Sequence, residues 1–242
     1  MRAETRHQLK QDRFSKVTFE AAGKTVDWSE EHKTAIIAAV IAVVVIGAIA
    51  FGGWYYLNSQ DEKASAELST AVRTFEEPVR PAGVPAQPGY DSFGSSEERA
   101  TAARKQFQQI VDKYPRTKTA DMARYFVGLA AAQLNDFTSA ERSLQEAANS
   151  SNSALASLGK LALAGVYRSE KKDTQAIDLY KQLINKPTMV VSKATAELEL
   201  AGLYESLQKP DEAKKLYDQV AKDNPSTEAA TLAQRKAAAL KR

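Results

Sequence analysis

Residues 200–225 read LAGLYESLQKPDEAKKLYDQVAKDNP. Two short amphipathic helices are written there, parted by a break at Lys209-Pro210, with alanine and glycine where the two would touch. A hairpin of this kind leaves one apolar face uncovered. The rest of the chain shows what covers it.

The stretch has relatives upstream. Aligned on the small residue that opens the second helix, the copies are Ala103 with Phe107 and Pro115, Ala140 with Leu144 and Asn152, Ala176 with Tyr180 and Pro187, and Ala213 with Tyr217 and Pro225. Successive copies are spaced 37, 36 and 37 residues apart. The first helices match as well, through Val127-Gly128, Leu163-Ala164 and Leu200-Ala201, followed by Ala131, Tyr167 and Tyr204. Such a period is the signature of a solenoid, in which each hairpin is covered only by its neighbours. Small residues at Gly128, Ala164 and Ala201 let the first helix approach the second. The larger side chain four positions after each second-helix alanine fills the gap toward the next hairpin. Proline or asparagine then ends each copy.

The spacing of Leu200, Ala201, Tyr204, Asp211-Glu212-Ala213, Tyr217 and Pro225 resembles the tetratricopeptide repeat family. The likeness extends over 96–225. Two departures stand out: the period exceeds the family's usual ~34 residues, and the opening position, usually tryptophan, is Arg124, Lys160 and Glu197. The resemblance implies an all-α solenoid whose first helices line a concave, protein-binding groove. Carried over residue by residue, that groove is Tyr125, Leu129 and Gln133, then Leu161, Gly165 and Arg168, then Leu198, Gly202 and Glu205. The family's lysine-and-asparagine clamp for acidic peptide ends is not matched at these positions. The groove is therefore expected to be apolar and lined by small residues, with Arg168 and Glu205 as polar handles for an extended or helical apolar segment.

Ahead of the repeats lies a membrane signal. Ala35 to Leu57, AIIAAVIAVVVIGAIAFGGWYYL, is 23 residues without a charge. As a helix it measures roughly 34 Å, enough to cross a hydrocarbon layer of ~30 Å. Trp54, Tyr55 and Tyr56 stand at one end as an interfacial belt, and Trp28 anchors the other if Asp27 caps the helix with Glu30 at its third position. The run continues past the small triplet Ala48-Ile49-Ala50, so an anchor is expected rather than a cleaved leader. The expected fold is thus a single transmembrane helix followed by an α-solenoid. Arg2, Arg6, Lys10, Arg13, Lys16, Lys24 and Lys33 precede the span, while the twenty residues after it carry only Lys63 and Arg73. The N-terminus is expected in the cytoplasm and the repeats outside it. Ala38 with Ala42 and Ala48 with Gly52 permit close helix approach, consistent with at most a weak homo-oligomer.

The organisation expected is a tail at 1–33, the span at 34–57, a helical stalk at 58–77, a Pro/Gly-rich loop at 78–96, the repeats at 97–225 and a capping helix at 226–242. Leu68, Val72 and Phe75 recur at helical spacing in the stalk. The loop holds four prolines and three glycines in 19 residues, which no regular helix tolerates. The half-copy at Ala103 lacks an adjacent first helix, so residues 61–77 are its candidate partner. At the far end, STEAATLAQRKAAAL begins with Ser226 as the expected cap.

Chemistry is sparse. Cysteine is absent and the histidines are His7 and His32, so neither residue type occurs in the repeats. Serine-histidine and cysteine-histidine nucleophiles cannot be assembled there, and no catalytic, metal or cofactor site is expected. Glu97-Glu98 and Asp211-Glu212 open helices, where acids complement the macrodipole. From Ser95 onward 23 Lys and Arg face 18 Asp and Glu. The bases are scattered rather than gathered with aromatics, so no nucleic-acid partner is expected.

The layout of charged tail, membrane helix and repeat domain is similar to that of YfgM-like proteins of the bacterial inner membrane, which are ancillary to the Sec translocon and its periplasmic chaperones. That likeness implies a scaffold or adaptor, non-enzymatic and without cofactors, with a periplasmic C-terminal domain. Its partners would be the translocon or chaperones. The alternative is a rigid subunit working with envelope assembly factors in outer-membrane protein insertion or cell-wall synthesis.

Overall fold

The period of the apolar residues decides the architecture: where it is helical a helix forms, and where glycine or proline interrupts it the chain turns. The computed structural model describes residues 32–81 and 92–240. The tail, the Asp27 cap and Trp28, His7, the middle of the Pro/Gly-rich loop and the last two residues lie outside them.

Nine helices occur among the described residues: α1 (Lys33–Glu76), α2 (Ser96–Lys113), α3 (Lys118–Gln133), α4 (Phe137–Ala148), α5 (Ser153–Ser169), α6 (Asp173–Asn185), α7 (Lys193–Ser206), α8 (Pro210–Asp223) and α9 (Glu228–Ala239). They contain no strand; a single bridge pairs Val79 with Phe93. The chain divides into two compact units at Tyr56/Leu57.

In the first unit, the described residues are the apolar part of α1. Its side chains are exposed, with Ile37, Val43, Ile49 and Phe51 all more than half accessible. A helix this long, apolar and uncovered is a candidate membrane span. Phe51 and Trp54 rest against each other, ring centroids 5.9 Å apart.

The second unit is a one-dimensional stack. It begins with the remainder of α1, which continues unbroken to Glu76 and serves as the first helix of the first hairpin. Ala64 and Ala71 of α1 are buried with Ala103, Phe107 and Ile110 of α2 and Ala123 and Val127 of α3. Phe75 meets Phe107 and Phe126 edge-on at 6.0 and 6.2 Å, and those two rings stack at 4.9 Å. Polar contacts fix the same packing: Glu67 accepts from Lys113 (2.6 Å) and Tyr114 (2.8 Å), and Asp61 accepts from the Thr119 amide (2.9 Å).

Three more apolar clusters follow in series. One joins α3, α4 and α5 through Ala131, Ala140, Leu144 and Leu163. The next joins α5, α6 and α7 through Ala164, Ala176, Tyr180 and Leu200. The last joins α7, α8 and α9 through Ala201, Ala213, Tyr217 and Ala233. In each, a second helix is clasped between the first helices of its own and the following hairpin, which is the solenoid logic made concrete. The alanines at 103, 140, 176 and 213 are all fully buried.

Close approach explains the glycines that matter. A methyl group on Gly128 would lie 2.5 Å from Leu144 Cγ, and one on Gly159 would lie 2.5 Å from the Ala148 amide nitrogen. Where the third and fourth copies carry Ala164 and Ala201 instead of Gly128, the residue matching Leu144 is Tyr180 or Tyr217. The α3–α4, α5–α6 and α7–α8 turns each hold one residue in the left-handed region: Asn135, Lys171 and Gln208, with φ of 59°, 58° and 57°.

Two local expectations are corrected. The cap of α9 is Thr227, whose side chain accepts from the Ala230 amide; Ser226 sits one residue earlier with φ 66°, where it cannot cap. Asn152 does not stop α4 but caps α5, accepting from the Ala154 and Leu155 amides. The paired acids do open helices, Glu97 and Glu98 in α2 and Asp211 and Glu212 in α8.

Candidate functional site

The first helices α3, α5 and α7 stand in a row, and one face of each carries the residues expected to line the groove. Tyr125 and Leu129 of α3 are half-buried and Gln133 is exposed. Tyr125 lies edge-on to Phe126, centroids 5.4 Å apart, and desolvation pushes its phenol above the ordinary range. Leu161 of α5 is half-buried against the α5/α6/α7 cluster, and Leu198 of α7 is half-buried against the α7/α8/α9 cluster. Tyr125, Leu129, Leu161 and Leu198 are therefore each partly packed against the core and partly accessible.

The glycines differ from their neighbours. A methyl group on Gly165 would meet nothing within 4 Å, and one on Gly202 only Arg168 Nη1 at 3.9 Å. Both thus open onto unfilled space. Gly165 and Leu129 come together in one depression of about 520 Å³, bounded also by Ala132, Phe137, Leu144 and Val166. Its depth has a sequence cause. In the next two hairpins the residue matching Leu144 is Tyr180 or Tyr217, whose hydroxyl reaches Arg168 or Glu205. Leucine stops short, and no long side chain at Ala132 closes the gap.

The polar handles are already engaged. Arg168 Nη1 lies 3.8 Å from Glu199 of α7, and Glu205 lies 3.3 Å from Lys236 of α9. Burial holds Tyr180 up at about 12 and raises Tyr217 as well. Neither phenol ionises near neutrality, so both act there as hydrogen-bonding groups rather than bases.

Charged groups that the repeat pattern did not single out sit nearby. Lys172 pairs with Glu141 and with Glu170 (3.1 Å), bridging α4 to the turn before α6. Glu141 is held low, chiefly by its hydrogen bond to Glu170, and Glu170 is raised by the same contact. Arg124, at the position where tryptophan is usual, spans from Asp121 (2.7 Å) to Glu146 of α4 (3.2 Å). Glu197, at the matching position of α7, is 1% exposed, with Lys193 Nζ at 3.4 Å from one oxygen and no hydrogen bond to the other. Nothing in its sequence context marks it as buried, since its neighbours Leu198 and Glu199 read as an ordinary helix face. Among the described residues no group of acids or histidines could hold a metal ion.

A family model described as tetratricopeptide repeat-like domain matches residues 27–242. No curated protein and no solved structure matches the chain.

Proposed function

The chain belongs to the tetratricopeptide repeat-like domain family, and from that premise we propose that it is a membrane-anchored scaffold whose first-helix groove binds apolar segments of partner proteins. The observation that carries this is the open depression at Leu129 and Gly165, where apolar side chains share the lining with Asn135 and Ser169. In this reading α1 crosses a bacterial inner membrane, the tail is cytoplasmic and the repeats are periplasmic. The partners are the translocon, its chaperones or chains emerging from it. The protein is not an enzyme: the repeats lack histidine and cysteine, and the shifted carboxyls of the Glu141–Lys172–Glu170 cluster are neutralised within a structural ion pair.

A second reading is favoured by the internal pairing of Arg168 and Glu205, which leaves the groove's polar handles occupied. Here the stack is a rigid spacer within an envelope assembly complex. One substitution separates the two. Gly165→Leu fills the depression from a position where an added methyl group would meet nothing within 4 Å, so the substitution is expected to leave the core intact. With a photo-crosslinker at exposed Gln133 in native membranes, Gly165→Leu should abolish most crosslinks to translocon components, while Lys181→Glu on the outer face of α6 should not. A single fixed partner, captured equally by wild type and Gly165→Leu, would support the spacer and remove the groove.

A further inference from the structure

Each step of the stack buries one large side chain of a second helix against the first helices beside it. At the 37-, 36- and 37-residue spacing that side chain is Phe107, Leu144, Tyr180 and Tyr217, none of them more than 2% exposed. Three of the four are aromatic, and Leu144 is the exception. The first helices keep the same register. Ala132 of α3 corresponds to Arg168 of α5 and Glu205 of α7, and Ala162 of α5 corresponds to Phe126 of α3, Glu199 of α7 and Lys236 of α9.

The aromatic steps are filled from within. At the first, Phe107 stacks on Phe126 at 4.9 Å and Phe75 closes on both rings edge-on. At the third, Arg168 and Glu199 stand 3.8 Å apart beside the Tyr180 hydroxyl. At the fourth, Glu205 and Lys236 stand 3.3 Å apart, with Glu205 at the Tyr217 hydroxyl. The second step has leucine for the ring and alanine at both flanking positions. Leu144, Ala132 and Ala162 are three of the residues that line the depression of about 520 Å³. Gly128 deepens it, because Leu144 Cγ lies 2.5 Å from where a methyl group on that glycine would stand. The leucine is thus set into α3 and does not reach toward the opening.

The depression is therefore the space of an omitted aromatic ring and its cover. No described side chain supplies the missing ring. The lining carries no charged residue, and its polar side chains are Asn135 and Ser169, both exposed. Ser169 Oγ donates to the Gly165 carbonyl at 3.1 Å, which leaves the oxygen able to accept. A charged group seated here would lose water without gaining a partner of opposite sign. An uncharged ring loses nothing by leaving water, gains a large apolar contact, and can direct a phenol hydroxyl at Ser169 or Asn135 at the opening.

We infer that the depression is an aromatic-specific subsite: it takes the ring of a tyrosine or phenylalanine from a partner protein's segment and completes the second step as Phe107, Tyr180 and Tyr217 complete the others. The inference rests on the reading of the first-helix groove as a protein-binding surface and adds which side chain of the partner anchors there. Segments that carry only aliphatic residues are then weak ligands, and the ring sets the register of the bound chain along α3 and α5.

The test uses the full chain in nanodiscs with a photo-crosslinker at Gln133. Its probes are short fluorescent peptides that differ only in a central tyrosine, phenylalanine, leucine or lysine. Capture of the tyrosine and phenylalanine peptides should exceed that of the leucine peptide by about five-fold, and the lysine peptide should give background. Leu144→Tyr with Ala132→Arg writes the third step's residues into the second, so it should remove most aromatic capture while the thermal midpoint stays level or rises. Should that variant unfold, Ala132→Arg with Ala162→Glu places only the covering pair at half-buried positions, and should remove the same capture. Leucine captured as well as tyrosine overturns the inference and leaves the groove reading standing. No capture of any peptide overturns both. Aromatic capture that survives in a folded, filled variant puts the ring elsewhere on the chain and overturns the inference.

Discussion

Glu197 shows how a single residue can work against its own fold. Its carboxyl is buried in α7 with Lys193 one turn away, and Lys193 is also drawn to Asp223 of α8 at 2.9 Å. Desolvation outweighs the lysine and raises the carboxyl above its ordinary value. The folded state therefore keeps this proton to higher pH than the unfolded chain does. Stability from this group is fullest below the unfolded carboxylate range and falls as pH rises toward the raised value. Glu197→Gln removes the penalty while keeping the shape, so the variant should be more stable by about 1 kcal/mol at neutral pH, with the advantage shrinking as pH drops toward 5. Thermal midpoints of the full chain in mild detergent at the two pH values measure this, and an advantage that grows on acidification would sink the account. Glu67 and Asp223 shift the opposite way, lowered mainly by their bonds to Lys113 and Lys193. They lose stabilisation as pH falls, so the Glu197 effect must be read as a difference between variants.

At the level of elements, the hairpins were legible because their spacing comes from packing. The alanines at 103, 140, 176 and 213 recur since no larger side chain fits between clasping helices, and a constraint repeated four times is visible without a structure. The stalk was legible only as a candidate partner, yet Ala64, Ala71 and Phe75 make it part of the first core cluster. The two glycine classes were not legible. Gly159 and Gly165 stand six residues apart on one helix, and only the position of α4 decides that the first is a close contact and the second opens on space. The depression was partly legible: of its lining, the family resemblance marked Leu129 and Gly165, and its depth depends on leucine standing where the next two hairpins have tyrosine. A passive stalk and a packed first helix predict different outcomes. Ala71→Glu buries a charge against Phe107 and should cost about 3 kcal/mol or more, seen as a lowered thermal midpoint, whereas Ser69→Glu on the exposed side should stay within about 0.5 kcal/mol. Equal midpoints for the two variants would return residues 58–77 to the role of a spacer.

For the whole molecule the deciding quantity is which side of the membrane holds the repeats. A scaffold for emerging chains is useful only where those chains emerge, so the functional reading and the topology stand or fall together. The charge argument is one-sided: seven bases precede the apolar run and only Lys63 and Arg73 lie in the twenty residues after it. Of the seven, Lys16, Lys24 and Lys33 are within the distance over which loop charge sets orientation, roughly 15–20 residues. The repeats themselves do not resist transfer through misoxidation, because they hold no cysteine. A reporter active only outside the cytoplasm, fused after Arg242, should be active, and the full chain should remain in the pellet after alkaline extraction. Replacing Lys16, Lys24 and Lys33 with glutamine should reduce reporter activity by removing the bases that retain the tail. An inactive reporter on a membrane-embedded chain would put the repeats in the cytoplasm and end the translocon and chaperone reading.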